Sequence, residues 1–272
     1  MSTQREKAER FQELHHGYGP LLLPNPWDQG SARVFAALGF VALATTSSGY
    51  AATLGRLDGS VTRDEALAHV ASIVEATSLP VSADLENGFA DEPGDVAANI
   101  GLAAAAGLAG CSLEDYTGRP DNPIYAAGLA AERVAAAAEA AHRGPARLVL
   151  TARAENYLHR RRDLADTIAR LQSFQAAGAD VLYAPGLKDI DDIRQLVGSV
   201  DLPVNVLAFP GGPSVAELAA VGVKRVSVGG AFSLVALGAV ANAAREFLHK
   251  GTFGWWGLAD TGLEVAHAAF TG

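Results

Sequence analysis

The chain of 272 residues contains one cysteine, Cys111. That excludes an internal disulfide and a zinc site built from several thiolates, and it fits a reducing compartment. Positive charge is also short: 21 lysines and arginines face 30 aspartates and glutamates, a formal net charge of −9. This balance argues against nucleic acid or an anionic membrane as partner. An anionic substrate must therefore meet a local cluster of cations or a metal. No apolar stretch of about 18 residues stands free of charge and turn signals, so no membrane span is expected. The opening segment, Met1 to Gln12, is charged and lacks the apolar core of a signal peptide. A soluble cytoplasmic protein is the expectation. No Pro- or Gly-rich linker divides the chain, so residues 1–272 read as one domain with a substantial core.

What the sequence does have is rhythm. Eight short apolar or β-branched runs recur: Leu21–Pro24, Phe40–Thr45, Pro80–Asp84, Gly110–Leu113, Arg147–Ala152, Val181–Ala184, Pro203–Leu207 and Lys224–Val228. Helical patterns alternate with them near Gly30–Leu38, Thr62–Thr77, Pro93–Ala106, Leu129–Ala141, Asp163–Ala177, Asp189–Val197 and Ser214–Ala220. A long apolar helix is expected from Ala231 to about His249. Glycine follows several helices, as at Gly39, Gly107, Gly178 and Gly222, where it is the usual left-handed stop. Alternating strands and helices imply right-handed βαβ units and a parallel sheet, and eight units imply a closed (β/α)8 barrel, a TIM barrel. An open doubly wound sheet is the competing fold. The tail from Phe253 to Phe270 can form a further apolar helix. Its Trp255–Trp256 pair has no place inside a finished barrel, so region 231–272 is expected to meet another subunit.

Barrels place their sites at the C-terminal ends of the strands. Here the third and fourth strands end in acids: Asp84 and Glu86, then Glu114. Carboxylates crowded on one rim repel one another unless a cation or shared protons neutralise them. A hard divalent ion such as Mg²⁺ is the simplest remedy, since it takes oxygen ligands and keeps several waters. The second strand runs into Thr45-Thr46-Ser47-Ser48-Gly49-Tyr50, a hydroxyl-rich turn suited to holding oxyanions. The fifth supplies Arg153 and the seventh Asn205, while Asp28 and Asp58 add acids nearby. A metal beside one arginine and a hydroxyl turn suits a small dicarboxylic or 2-oxo acid. The polar, Gly/Pro-rich segment from Tyr116 to Tyr125 interrupts the rhythm at this rim and is expected to act as a lid.

Each residue also has a structural reading. Strand-end acids cap helices or pair with arginine, Arg153 can pair with Glu155 or Glu114, and Ser47 and Ser48 can be ordinary turn residues. Cys111 reads as a buried, inert thiol. His15 and His16 read as solvated. The Gly211-Gly212 and Gly229-Gly230 pairs fall where many barrels bind phosphate, or simply turn tightly.

The order of these segments resembles the isocitrate lyase and phosphoenolpyruvate mutase superfamily, and within it the phosphoenolpyruvate phosphonomutase-like branch. The pieces that carry the likeness are Ser47-Ser48-Gly49 with Leu54 to Gly59, Ala83 to Gly88, Leu113-Glu114-Asp115, Ala152-Arg153 and Ala177 to Asp180. The resemblance implies a modified barrel whose last helix is swapped between subunits, in a dimer or dimer of dimers. It also implies Mg²⁺ chelated by a substrate's carboxylate and 2-oxo oxygens. By position, Asp84 resembles the direct ligand, and Glu86 and Glu114 resemble acids acting through water. Ser48 and Gly49 resemble the turn that holds the substrate, Arg153 the arginine beside it, and Asp58 an acid near the reacting group. The lyases of the superfamily carry a cysteine in the loop after the fourth strand, and the mutases a lysine. Residues 116–125 hold no Cys, His or Lys.

The expected function is a Mg²⁺-dependent lyase or decarboxylase acting on a small 2-oxo or 2-hydroxy dicarboxylic acid through a stabilised enolate. Asp58, Tyr50, Glu114 and Arg153 are the candidate catalytic residues. Ser47, Ser48, Gly49, Arg153, Asn205 and the loop residue Asn122, with Arg119, are the candidate substrate contacts. Phosphonopyruvate-type P–C chemistry, a non-catalytic 2-oxo acid binder, and a phosphosugar barrel using the Gly-Gly loops are the alternatives.

Overall fold

The computed structural model describes residues 2–271. Eight strands form one all-parallel sheet: β1 (Leu21–Leu23), β2 (Leu43–Ala44), β3 (Val81–Asp84), β4 (Gly110–Glu114), β5 (Val149–Arg153), β6 (Val181–Tyr183), β7 (Val204–Leu207) and β8 (Arg225–Ser227). Their order is β1-β8-β7-β6-β5-β4-β3-β2, so the ends of the sheet are β1 and β2. Those two lie together through Ala44 N–H to the Pro24 carbonyl at 3.1 Å and Asn25 Nδ2 to the Thr45 carbonyl at 3.1 Å. The sheet is thus a nearly closed barrel, as eight βα units require.

Among the described residues, eleven helices accompany it: α1 (Gln4–Leu14), α2 (Gln29–Ala37), α3 (Ser47–Thr53), α4 (Arg63–Ala76), α5 (Pro93–Ala105), α6 (Ala127–Arg143), α7 (Leu164–Ala176), α8 (Ile190–Val197), α9 (Val215–Ala220), α10 (Ala231–Lys250) and α11 (Trp256–Phe270). Side-chain caps fix many of their starts, among them Asp28, Thr62, Asp163, Asp189 and Ser214. Capping is therefore the role of Asp28, which lies off the cavity. The main core lies between sheet and helices, with Leu43, Ile73, Ile100, Leu113, Leu150, Leu171 and Phe174 fully enclosed.

A second core closes the opposite end of the barrel. Helix α1 lies across it, with Phe11 buried among Leu21, Leu23, Val149 and Val181. Gly110 makes room for that ring, since a Cβ there would stand 2.8 Å from Phe11 and 2.7 Å from the Val149 carbonyl. Sealing this end leaves the C-terminal ends of the strands as the open one.

Several expectations need correction. The run Phe40–Thr45 yields only the two-residue β2, and the Ser47–Thr53 segment is a short helix capped by Thr46, not a turn. His15 is buried, not solvated: Nδ1 lies 2.7 Å from the Phe11 carbonyl and Nε2 3.3 Å from Arg225. The periodicity of α1 was legible only as charge. Helix α10 is long and apolar enough by length and composition to cross a membrane, and Ser233 is its one buried residue.

Candidate active site

A cavity of about 400 Å³ opens at the C-terminal ends of the strands. Five carboxylates (Asp58, Asp84, Glu86, Glu114 and Glu155) and two guanidiniums (Arg153 and Arg225) line it. Strand pairing accounts for the crowding: Asp84 is in register with Ser112, and Glu114 with Arg153, so β3, β4 and β5 end side by side.

Arg153 organises the acids. Its Nη1 lies 3.0 Å from Asp84, its Nη2 3.0 Å from Glu114 and its Nε 2.8 Å from Glu155. Burial opposes its charge, but Glu155, Glu114 and Asp84 outweigh burial and hold it firmly protonated. Tyr183 lies beneath, its ring centre 5.4 Å from the guanidinium carbon. One arginine does not neutralise five acids. Burial pushes Glu86 up to about 8, with Asp84 and Asp58 adding to it, and burial also drives Glu114 upward against the pull of Arg153. The cluster thus retains protons at neutral pH, or takes a further cation.

Ser47 joins two of the acids. Its Oγ lies 2.9 Å from Asp84 and 3.0 Å from Asp58, and its backbone N–H donates to Asp84 at 3.2 Å. A hydroxyl has one proton, so it serves both carboxylates at once only if one of them carries a proton of its own. Burial and the charge of Asp84 raise Asp58 in that direction. Ser48 also faces the cavity, against Gly230, where a Cβ would stand 2.6 Å from the Ser48 Oγ. Glycine at 230 is what leaves that hydroxyl its place.

Glu86 is the strained member. Its φ is 48°, a left-handed value uncommon for a side chain of this size, and its Oε1 is buried without a hydrogen-bond partner. An orphaned buried oxygen among hard carboxylate donors fits a hydrated Mg²⁺, which is commonly held by one or two carboxylates plus water. Among the described residues, no group of three or more His, Cys, Asp or Glu forms an all-protein metal cage.

Other expected site residues lie elsewhere. Tyr50 stacks on His69, ring centres 3.9 Å apart, and does not line the cavity. Gly49 lies within α3 and off the cavity, where a Cβ would stand 2.6 Å from Thr46 and 3.0 Å from Trp27, so glycine there lets the helix seat. Asn205 is buried off the cavity, donating to Ser227 and accepting from Arg225. Asn122 and Arg119 sit on the outer loop, where Arg119 pairs with Asp91 at 3.0 Å. That loop is fastened by a Tyr116–Ile124 bridge and by Thr117 N–H to the Pro123 carbonyl at 2.8 Å. In the last of the loops that the phosphosugar alternative relies on, the Val228 and Gly229 amides donate to Asn25, at 3.1 and 2.8 Å. Cys111 is fully buried and pushed up to about 12 by burial, inert as read.

Several lining residues escaped the sequence reading. Tyr116 and His159 stack at 4.0 Å at the cavity edge, and burial with Arg153 and Arg161 keeps His159 neutral. Glu155 was seen only as a partner for Arg153. Tyr183 and Arg225 occupy inward strand positions; a charged residue inside the Lys224–Val228 run was the available signal for the latter.

Comparison with known proteins agrees with this architecture. A family model described as phosphoenolpyruvate phosphomutase matches residues 11–248. The solved structure of a candidate lyase/mutase from Burkholderia cenocepacia J2315 is similar at 56% identity and a TM-score of 0.90, over 93% of this chain and 91% of that one. Oxaloacetate decarboxylase 2 of Pseudomonas fluorescens strain Pf0-1 is 30% identical, over 87% of this chain and 82% of its own length. The 2-methylisocitrate lyase of Escherichia coli strain K12 is 28% identical, over 71% and 68%.

Proposed function

The chain belongs to the phosphoenolpyruvate phosphomutase family, in the isocitrate lyase and phosphoenolpyruvate mutase superfamily, and from that membership we propose a Mg²⁺-dependent carbon–carbon lyase or decarboxylase. Its substrate is a small 2-oxo or 2-hydroxy dicarboxylic acid. The observation that carries the reading is the orphaned, strained Glu86 beside Asp84 in a cavity whose acids outnumber its arginines. Relatives named for cleavage of carbon–carbon bonds support it.

Asp84 would hold Mg²⁺ directly, with Glu86 and Glu114 acting through water. Bound there, the ion would supply positive charge where an enolate develops. Arg153 has five N–H donors and gives three to acids, which leaves two for a substrate carboxylate. Ser48 offers its hydroxyl beside them. Asp58, raised and bonded to Ser47, would return a proton to the enolate carbon. Decarboxylation asks least of this set, because CO₂ leaves without a base to take a hydroxyl proton. A retro-aldol cleavage needs such a base, and neutral His159 is the one at the cavity edge.

The experiment is a panel of 2-oxo and 2-hydroxy diacids with Mg²⁺, read for CO₂, pyruvate, glyoxylate and phosphate. Metal-dependent CO₂, pyruvate or glyoxylate release, lost in Asp84→Ala, supports the proposal. Phosphate or P–C isomerisation from phosphonopyruvate alone would move the assignment to P–C chemistry. Tight oxalate binding without turnover of any diacid would make the protein a binder. Mg²⁺ binding and turnover left intact by Asp84→Ala would remove the metal assignment.

We further propose that residues 1–272 work as one barrel domain in the cytoplasm and that region 231–272 packs on a second copy. Helix α10 presents Leu234, Val235, Leu237, Val240, Phe247 and Leu248 to solvent. An exposed apolar run of this extent is ordinarily covered.

A further inference from the structure

We infer that Arg225 forms a second anion subsite at the inner end of the cavity, reserved for the distal carboxylate of the substrate. This rests on the reading of the site as one for 2-oxo or 2-hydroxy diacids and makes that class specific: a free carboxylate remote from the reacting end is required.

Arg225 is 4% exposed and lines the cavity, yet none of its contacts is acidic. Its Nε donates to Asn205 at 2.9 Å, and Nη1 lies 3.3 Å from His15 Nε2. His15 is itself uncharged there, held down to about 3 by burial and by Arg225. Its Nδ1 lies 2.7 Å from the Phe11 carbonyl, so the tautomer protonated at Nδ1 satisfies both ring nitrogens and leaves Nε2 to accept from Arg225. A buried guanidinium normally has a carboxylate against it, because removing a charge from water is costly. Here every partner is neutral, and two contacts use only part of the five-donor fork. The remaining donors are suited to a bidentate carboxylate.

Topology gives the subsite its direction. Strand β8 lies four places from β4 in an eight-strand ring, hence across the barrel from Glu114, and three places from β5, which carries its register partner Arg153. Arg225 is level with Asn205 and Leu21, two residues deeper than Ser227. The cavity therefore carries its acids on one wall near the mouth and an unmatched cation low on the other. A diacid gripped at its 2-oxo end near Asp84 and Arg153 extends its second carboxylate toward Arg225.

The test compares ligands first, on the intact protein with Mg²⁺. Binding of 2-oxoglutarate and 2-oxoadipate is measured calorimetrically beside the distal monoamide of each, and oxalate reports the reacting end alone. At least one diacid is expected to bind about tenfold or more tightly than its amide, the usual worth of a charge-assisted hydrogen-bonded pair. Arg225→Gln should reduce that preference to within about twofold, with oxalate binding and the thermal midpoint held. Equal binding of diacid and amide by the unaltered protein would overturn the subsite without any variant. So would a preference that survives in Arg225→Gln. Failure of the unaltered protein to bind oxalate or any 2-oxo acid would instead sink the functional reading beneath it.

Discussion

Glu114 and Arg153 are register partners on adjacent strands, and their side chains meet at 3.0 Å over the cavity. The same guanidinium reaches Asp84 and Glu155. Replacing Arg153 by Met leaves a buried acid cluster with no cation in contact. Loss of one partner from such a pair costs about 3–5 kcal/mol. Turnover of the diacid found in the substrate panel should also fall on the order of 10²–10³-fold, the usual cost of removing one preorganised charge donor. Urea unfolding and steady-state kinetics measure the two effects. A variant of unchanged stability and rate would show that Arg153 is dispensable to both.

Much of this was legible in the sequence, and the exceptions have physical causes. Strand-end acids announce themselves because an apolar run that stops at Asp84 or Glu114 fixes both depth and rim. Asn205 and Arg225 were not separable that way: both sit on strands, but only contacts across the sheet show that Arg225 meets the cavity while Asn205 serves it. Tyr50 misled because it follows the right motif, yet in α3 its ring turns outward onto His69. His15 looked solvated because nothing local to α1 reveals that the helix closes the barrel over residues more than two hundred positions away.

Burial of His15 makes stability depend on pH. In the folded chain it titrates at about 3, against an ordinary value of 6.5. Between those values the unfolded chain binds the proton and the folded one does not, so the contribution of His15 to stability falls as pH drops from 6.5 toward 3. At about 1.4 kcal/mol per unit, the loss reaches about 3 kcal/mol by roughly pH 4. His15→Gln keeps an acceptor for Arg225 without a titrating ring. Its unfolding free energy should decline less over the same range. Parallel pH profiles for the two proteins would refute this account.

Gly49 lies off the cavity but sets the position of α3, whose Ser47 and Ser48 line it. Gly49→Ala forces a Cβ to within 2.6 Å of Thr46 and 3.0 Å of Trp27. Overpacking of this kind costs about 1–3 kcal/mol. Because α3 begins at Ser47, the shift should also loosen the Ser47 bonds to Asp84 and Asp58. The expected result is a lower thermal midpoint with weaker oxalate binding. A midpoint equal to that of the unaltered protein would mean that α3 yields freely.

The apolar α10 needs a cover. Its N-terminal end is tied to the barrel through Phe232, whose ring lies 5.7 Å from Phe35, and through Ser233 beneath α3. The stretch beyond carries exposed leucines and valines on more than one side. Leu234, Leu237 and Leu248 recur at spacings that return to one face of a helix, the pattern of a helix–helix seam. Sedimentation in dilute buffer without detergent should give a dimer or dimer of dimers. Leu234→Glu with Leu248→Glu should shift it toward monomer while the barrel keeps its circular dichroism. The same helix has the length and composition of a membrane span, so vesicle flotation is the contrasting measurement. A monomer that floats with vesicles would replace the subunit interface with a lipid one, whereas an oligomer that stays in the aqueous phase fits a second copy as the cover.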